Sequence, residues 1–135
     1  MYSVDFLPYF GAGQIKLDSS REDVRKILGT SFKKTFKKTK FSKNTTDDFS
    51  FCHVFYDEQD KVEAIEVFGD SEFLFKGKNL FLSQFSDLKT FLGDNAIGFA
   101  EDDSGLRSDD IGLSVYAPDK KHIETLLAYR RGYYG

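Results

Sequence analysis

At 135 residues the chain has the length of one domain and can bury enough surface to fold without a disulfide or a metal. Hydrophobic residues make up 40% and charged residues 30%, as in an ordinary globular protein, and no stretch approaches the ~20 apolar residues of a membrane-spanning helix. The net charge of −3 argues against nucleic acid and for a basic partner, while the single cysteine, Cys52, excludes an internal disulfide and a cysteine-built zinc site. Aromatic content is unusual: 15 Phe and 7 Tyr with no Trp, many in alternating runs, which predicts a β-rich protein with a phenylalanine core.

The first residues, Met1-Tyr2-Ser3-Val4-Asp5, lack a basic region followed by an apolar run, so the expectation is a cytoplasmic protein. Residues 1–18 read as extended or irregular, because Pro8, Gly11 and Gly13 break any helix. Ser19 and Glu22 have capping-box spacing, Val24, Ile27 and Leu28 form one apolar stripe, and Gly29 stops the helix. Phe32 to Phe41 reads as an edge strand carrying lysines, and 42–48 as a polar turn. Phe49, Phe51, His53 and Phe55 alternate with Ser50, Cys52, Val54 and Tyr56 in a strand. Asp57 to Asp60 is a hairpin turn and Val62 to Phe68 the returning strand. Phe73 to Phe75 suits a short strand, and 84–92 a helix that buries Phe85, Leu88 and Leu92. There follow a strand near 97–101, an acidic loop from Asp102 to Asp110, a strand from Ile111 to Ala117, and a turn at Pro118-Asp119-Lys120. Ile123 to Tyr129 completes the chain as a strand, although 121–130 also suits a helix.

An internal echo favours the strand. Between Ile15–Gly29 and Asn79–Gly93, Ser19 meets Ser83, Asp23 meets Asp87, Leu28 meets Leu92 and Gly29 meets Gly93. The hairpins correspond at a slightly shorter offset, with Val54 and Phe55 against Val115 and Tyr116, and Val62, Glu63 and Phe68 against Ile123, Glu124 and Tyr129. The expectation is a single α+β domain, 1–135, of two pseudo-repeats, 12–70 and 76–135. Each would be a short helix followed by about three antiparallel strands, with the helices packed on the sheet. A scaffold of this kind presents a sheet and points to binding rather than catalysis.

Nothing in the chain assembles a catalytic set. His53 and His122 have no serine or cysteine nucleophile beside them, and Cys52 and His53, adjacent on a strand, point to opposite faces. Gly11-Ala12-Gly13 lacks the third glycine and the strand–turn–helix context of a dinucleotide site. The acidic residues of 101–110 lack the alternating ligands and closing Glu of a calcium loop. No metal ligands and no cofactor are therefore expected. The same segment, Glu101, Asp102, Asp103, Asp109 and Asp110 with Arg107, can instead form a negative surface for a cationic partner. Tyr133 and Tyr134, which follow Arg130 and Arg131, have the chemistry of interface anchors. The lysines Lys33, Lys34, Lys37, Lys38, Lys40 and Lys43, interleaved with Phe32, Phe36 and Phe41, suit nucleic acid, an acidic protein or a solvated edge strand, and core-facing phenylalanines favour the last.

The run Ile15-Lys16-Leu17-Asp18-Ser19-Ser20-Arg21-Glu22-Asp23-Val24-Arg25-Lys26-Ile27-Leu28-Gly29 resembles the half-repeat of the β-lactamase inhibitor protein family and of the small outer-membrane-assembly lipoproteins. Their signature is an apolar residue, a glycine or polar pair, then Ser-x-x-Glu-Val-x-x-x-Leu-Gly. Asp18 stands where such motifs often have glycine, and the cysteine that the lipoproteins lipidate has no counterpart, since Cys52 is the only cysteine. Asp109 to Pro118, together with Arg131-Gly132-Tyr133-Tyr134, resembles small bacterial proteins of toxin-immunity type. These resemblances imply a non-enzymatic cytoplasmic immunity protein that binds a cognate toxin, such as a nuclease, and neutralises it by occlusion. The alternative is a small-ligand or lipid-binding domain with an aromatic-lined pocket.

Overall fold

A computed structural model describes residues 2–29, 34–37 and 44–135. The chain opens with three short strands, β1 (Ser3–Leu7), β2 (Gly11–Ala12) and β3 (Ile15–Lys16), and then helix α1 (Arg21–Leu28). Four strands follow: β4 (Lys34–Lys37), β5 (Thr45–Asp48), β6 (Cys52–Tyr56) and β7 (Val62–Phe68). Strands β8 (Glu72–Phe75) and β9 (Lys78–Asn79) and a 3-10 turn at Leu80–Leu82 lead into helix α2 (Phe85–Asp94). Another four strands follow: β10 (Ala100–Asp102), β11 (Gly105–Ser108), β12 (Leu113–Tyr116) and β13 (Thr125–Tyr129).

Among the described residues these strands form two sheets. The larger has eight strands in the order β10-β11-β12-β13-β7-β6-β5-β4, every neighbouring pair antiparallel. The last strand of each group meets at its centre, where β13 pairs β7 with Leu127 opposite Glu66. The smaller sheet, β3-β2-β1-β8-β9, contains a parallel pair, β1 with β8.

The period-2 pattern decides which side chains enter the core. Cys52, Val54 and Tyr56 of β6, Ile65 and Val67 of β7, and Leu126 and Ala128 of β13 point inward. They meet Val4 and Phe6 of β1, Val24 of α1, Phe73 and Phe75 of β8, and Phe85, Leu88 and Leu92 of α2. One core thus lies between the eight-stranded sheet and a layer made of the small sheet and both helices. The phenylalanines fill it: Phe6 stacks on Phe73 at 5.2 Å and meets Phe75 edge-on at 5.5 Å.

The α+β class holds, and β7, β8, α2 and β13 fall where the apolar pattern puts them. Other expectations are corrected. Ser20, not Ser19, caps α1 by accepting from the Asp23 N–H, while the Ser19 hydroxyl donates to the Lys16 carbonyl. Ile27 is exposed, so the α1 stripe narrows to Val24 and half-buried Leu28. Gln84 precedes α2 without a side-chain cap, and the helix runs through Gly93 to Asp94. Residues 1–18 hold three strands, six strands lie between α1 and α2 and four follow α2, and the polar turn 42–48 contains strand β5. The acidic loop is a hairpin, β10 against β11. The expected lysine strand, Phe32 to Phe41, lies outside the described residues except for β4, which is an edge.

Candidate functional site

One face of the eight-stranded sheet covers the core, and the other presents its own row of side chains. Register places Arg107, Ser114, Leu127, Glu66, His53 and Asp48 side by side across β11, β12, β13, β7, β6 and β5. The neighbouring row brings Tyr116, Thr125 and Phe68 together, with Tyr116 45% exposed. His53 sits between two carboxylates, with Nε2 3.5 Å from Asp48 and Nδ1 3.3 Å from Glu66. His122 lies elsewhere, in the turn before β13, where Nδ1 is 2.6 Å from Asp119. Cys52 points the other way, into the core beside Tyr2, and burial pushes its thiol up to about 12. At neutral pH this thiol is protonated and weakly nucleophilic.

Along β13 the next outward position after Leu127 is Tyr129, around which a second apolar cluster forms with Phe55 and Ala64. The β1–β2 connection folds over it, so that Tyr9 meets Tyr129 edge-on at 6.2 Å. The turn after β13 returns Tyr133 and Tyr134 to the same ring, at 5.9 and 4.9 Å. Two guanidinium groups stack on these tyrosines, Arg131 on Tyr9 at 4.0 Å and Arg107 on Tyr134 at 4.4 Å. Asp109 fastens the group from below: it accepts from the Tyr129 hydroxyl at 2.6 Å and pairs with Arg107 Nε at 3.2 Å, while its carbonyl accepts from the Tyr9 hydroxyl. Burial, then the Asp109 carboxylate, hold the Tyr129 phenol above its ordinary range. Together these side chains line a cavity of about 270 Å³.

Of the expected site residues, Arg107, Asp109, Tyr133 and Tyr134 therefore meet in one place. Asp110 lies next to it, accepting from the Gly98 N–H at 2.6 Å in a smaller cleft of about 200 Å³ that shares Arg107 and Asp109. Glu101, Asp102 and Asp103 do not join them; they occupy the β10–β11 hairpin at the sheet edge. Their charge is largely satisfied within the molecule. Glu101 pairs with Lys89 at 3.1 Å and Lys120 at 3.0 Å, and hydrogen bonds from those two lysines lower its carboxyl. Asp102 accepts from the Ser104 N–H and hydroxyl across the turn, and Asp103 stays exposed.

Arg131, which the sequence sets beside Tyr133 and Tyr134, joins the cluster, and Tyr9 and Tyr129 complete it without having been singled out in the sequence. A tyrosine beside Pro8 in a glycine-flanked turn was the available signal for Tyr9. Tyr129 read only as the end of a strand. Among the described residues no group of three His, Cys, Asp or Glu side chains is placed to hold a metal ion, and no helix is long and apolar enough to cross a membrane. The chain matches no protein-family model, no curated protein and no solved structure.

Proposed function

We propose that the chain is a non-enzymatic protein-binding module, a cytoplasmic immunity protein that neutralises a cognate toxin by covering its working surface. One observation carries this reading: tyrosines and stacked arginines gather at one end of a sheet face that stays half open. Tyrosine and arginine dominate the energetic centres of protein interfaces, because each combines large area with directional hydrogen bonding. Half-buried Leu127 and Phe68 and exposed Tyr116 extend the same face with contact area. The net charge of −3 suits a basic toxin, a nuclease among them, through long-range steering.

The expected duplication suits the reading, and the spacing and order of the elements favour it. Helix α1 starts at Arg21 and α2 at Phe85, a spacing of 64, whereas β6 and β12 start at Cys52 and Leu113, a spacing of 61. The connections from helix to first strand are equally long, 29–33 and 95–99; the offset changes one step later, where 38–44 separate β4 from β5 but only 103–104 separate β10 from β11. The order of the larger sheet is symmetric about the β13–β7 pair, four strands on each side. A tandem repeat of this kind produces a wide, continuous sheet, which is what an occluding protein needs. The phenylalanines that an aromatic ligand pocket would require, Phe6, Phe49, Phe73, Phe75 and Phe85, are instead packed in the core.

Co-expression with the product of the adjacent gene tests the proposal. The expected result is a stable complex on co-purification and survival of cells that express both proteins. A toxin that kills equally with and without this chain overturns the reading.

A further inference from the structure

The Tyr9–Arg131 stack carries the sign of the group that would enter the cavity. A guanidinium lying flat on a ring has one face covered, and its N–H donors point outward in the plane, where a carboxylate binds with two parallel hydrogen bonds. The two arginines of the cavity differ in this respect. Arg107 already uses its edge, with Nε 3.2 Å and Nη2 3.3 Å from the two oxygens of Asp109. Arg131 is exposed and stacked on Tyr9, and among the described residues no carboxylate lies within ion-pairing distance of it. The cavity is lined by two guanidiniums, one side-chain carboxylate, four tyrosines and the backbone of Gly132 and Gly135, so that among its side chains the surplus charge is positive. Its volume, about 270 Å³, is below the ~300–1,000 Å³ of sites for drug-sized ligands and admits one side chain. It also opens at the end of a protein-sized face, since Tyr129 and Leu127 are successive outward positions of β13.

From this geometry we infer that the cavity is the receptor for an acidic side chain of the partner protein, with Arg131 as the residue that grips its carboxylate. The net charge of −3 points to a basic partner at long range, yet at this contact the partner contributes the negative group. The inference deepens the protein-binding reading and depends on it for the source of the carboxylate.

The test titrates the full-length, isotope-labelled chain with the acetylated and amidated tripeptide Ala-Glu-Ala and, separately, with Ala-Gln-Ala and Ala-Lys-Ala. At concentrations on the order of millimolar, suited to a single ion-paired side chain, the glutamate peptide is expected to shift the Arg131 Nε–H and the ring signals of Tyr9 and Tyr133. The glutamine and lysine peptides are expected to leave them in place. Arg131→Gln should weaken the glutamate response about tenfold, and Arg131→Lys, which keeps the charge but loses the planar fork, should restore only part of it. Because Arg131 is exposed, an unchanged unfolding curve for both variants keeps the comparison interpretable. No response to the glutamate peptide, an equal response to the glutamine peptide, or full binding by Arg131→Gln overturns the inference. The two ideas fail separately. A chain that binds the glutamate peptide but captures no toxin keeps this site and loses the immunity reading. A chain that captures toxin with affinity unaltered by Arg131→Gln keeps the immunity reading and loses this site.

Discussion

Asp47 is the one buried carboxylate among the described residues. Its side chain is 0% exposed, although it comes from the polar run Thr45-Thr46-Asp47-Asp48. A lone carboxylate at such a depth would be prohibitively costly, so every lone pair is engaged. Arg21 Nη1 donates at 3.0 Å, Arg25 Nε and Nη2 at 2.9 and 2.7 Å, Thr35 Oγ1 at 3.0 Å and the Tyr56 hydroxyl at 3.0 Å. The Arg21 guanidinium also stacks on Tyr56 at 4.1 Å. Burial alone would raise the Asp47 carboxyl, but hydrogen bonds from Arg25, Thr35 and Tyr56 and the charge of Arg21 outweigh it and hold the group below its ordinary value. Burial, followed by this carboxylate, drives the Tyr56 phenol in the opposite direction. Asp47→Ala would remove the shared acceptor of two guanidiniums, and breaking a buried pair from one side costs about 3–5 kcal/mol. Urea unfolding at neutral pH should register that loss. A change under 1 kcal/mol would mean that solvent replaces the carboxylate easily and that the residue is not the anchor of α1 on the sheet.

At the scale of elements, the two glycines that the sequence sets at helix ends have different roles. Gly29 ends α1 with φ +74, a conformation that disfavours any side chain. Gly93 lies inside α2, which continues to Asp94, and a methyl group added there would meet no atom within 4 Å. Gly93→Ala should therefore stabilise the protein by about 0.5–1 kcal/mol, the propensity gain of alanine in a helix, whereas Gly29→Ala should cost about 1 kcal/mol through left-handed strain. Thermal unfolding of both variants checks the contrast; destabilisation by Gly93→Ala would restore that glycine as a helix stop. This pair marks the limit of what was legible in the sequence. Period told well where side chains are apolar: Phe85, Leu88 and Leu92 one helical face apart, Val62 to Phe68 as a strand. It told badly where an element is held by polar contacts. Strand β5 consists of Thr and Asp and reads as a turn, because the arginines that neutralise Asp47 come from a helix more than 20 residues away. The candidate site was half legible for the same reason. Arg107, Asp109, Tyr133 and Tyr134 stand in a conspicuous composition, while Tyr9 joins them through a contact 100 residues distant.

For the whole molecule, acid is the condition that reads these networks together. Arg130, just beyond β13, pairs with Asp18 at 2.9 Å and Asp57 at 2.8 Å, and so ties the end of the chain to the approach to α1 and to the β6–β7 turn. For Asp57, burial acts to raise the carboxyl, but N–H donation from Lys61 and Gln59 and the bond from Arg130 prevail and lower it. Asp47 is lowered as well, so the carboxyls that join helix to sheet and one half of the chain to the other share one direction of shift. A group with a depressed folded value contributes stability that is fully present above its unfolded value, here near 3.8, and lost as pH falls through the folded one. Between those limits the unfolded chain binds more protons than the folded chain, and stability rises with pH. The expected profile of urea midpoints is flat from pH 8 to about 5 and falls steeply below about 4. Asp57 is partly solvated, so its share is the smaller, and Asp47 should dominate the slope. Asp47→Asn keeps the shape of the side chain but cannot bind a proton, and it should flatten the acid limb while lowering the neutral plateau. An acid limb as steep in Asp47→Asn as in the parent chain would place the acid sensitivity of the fold elsewhere.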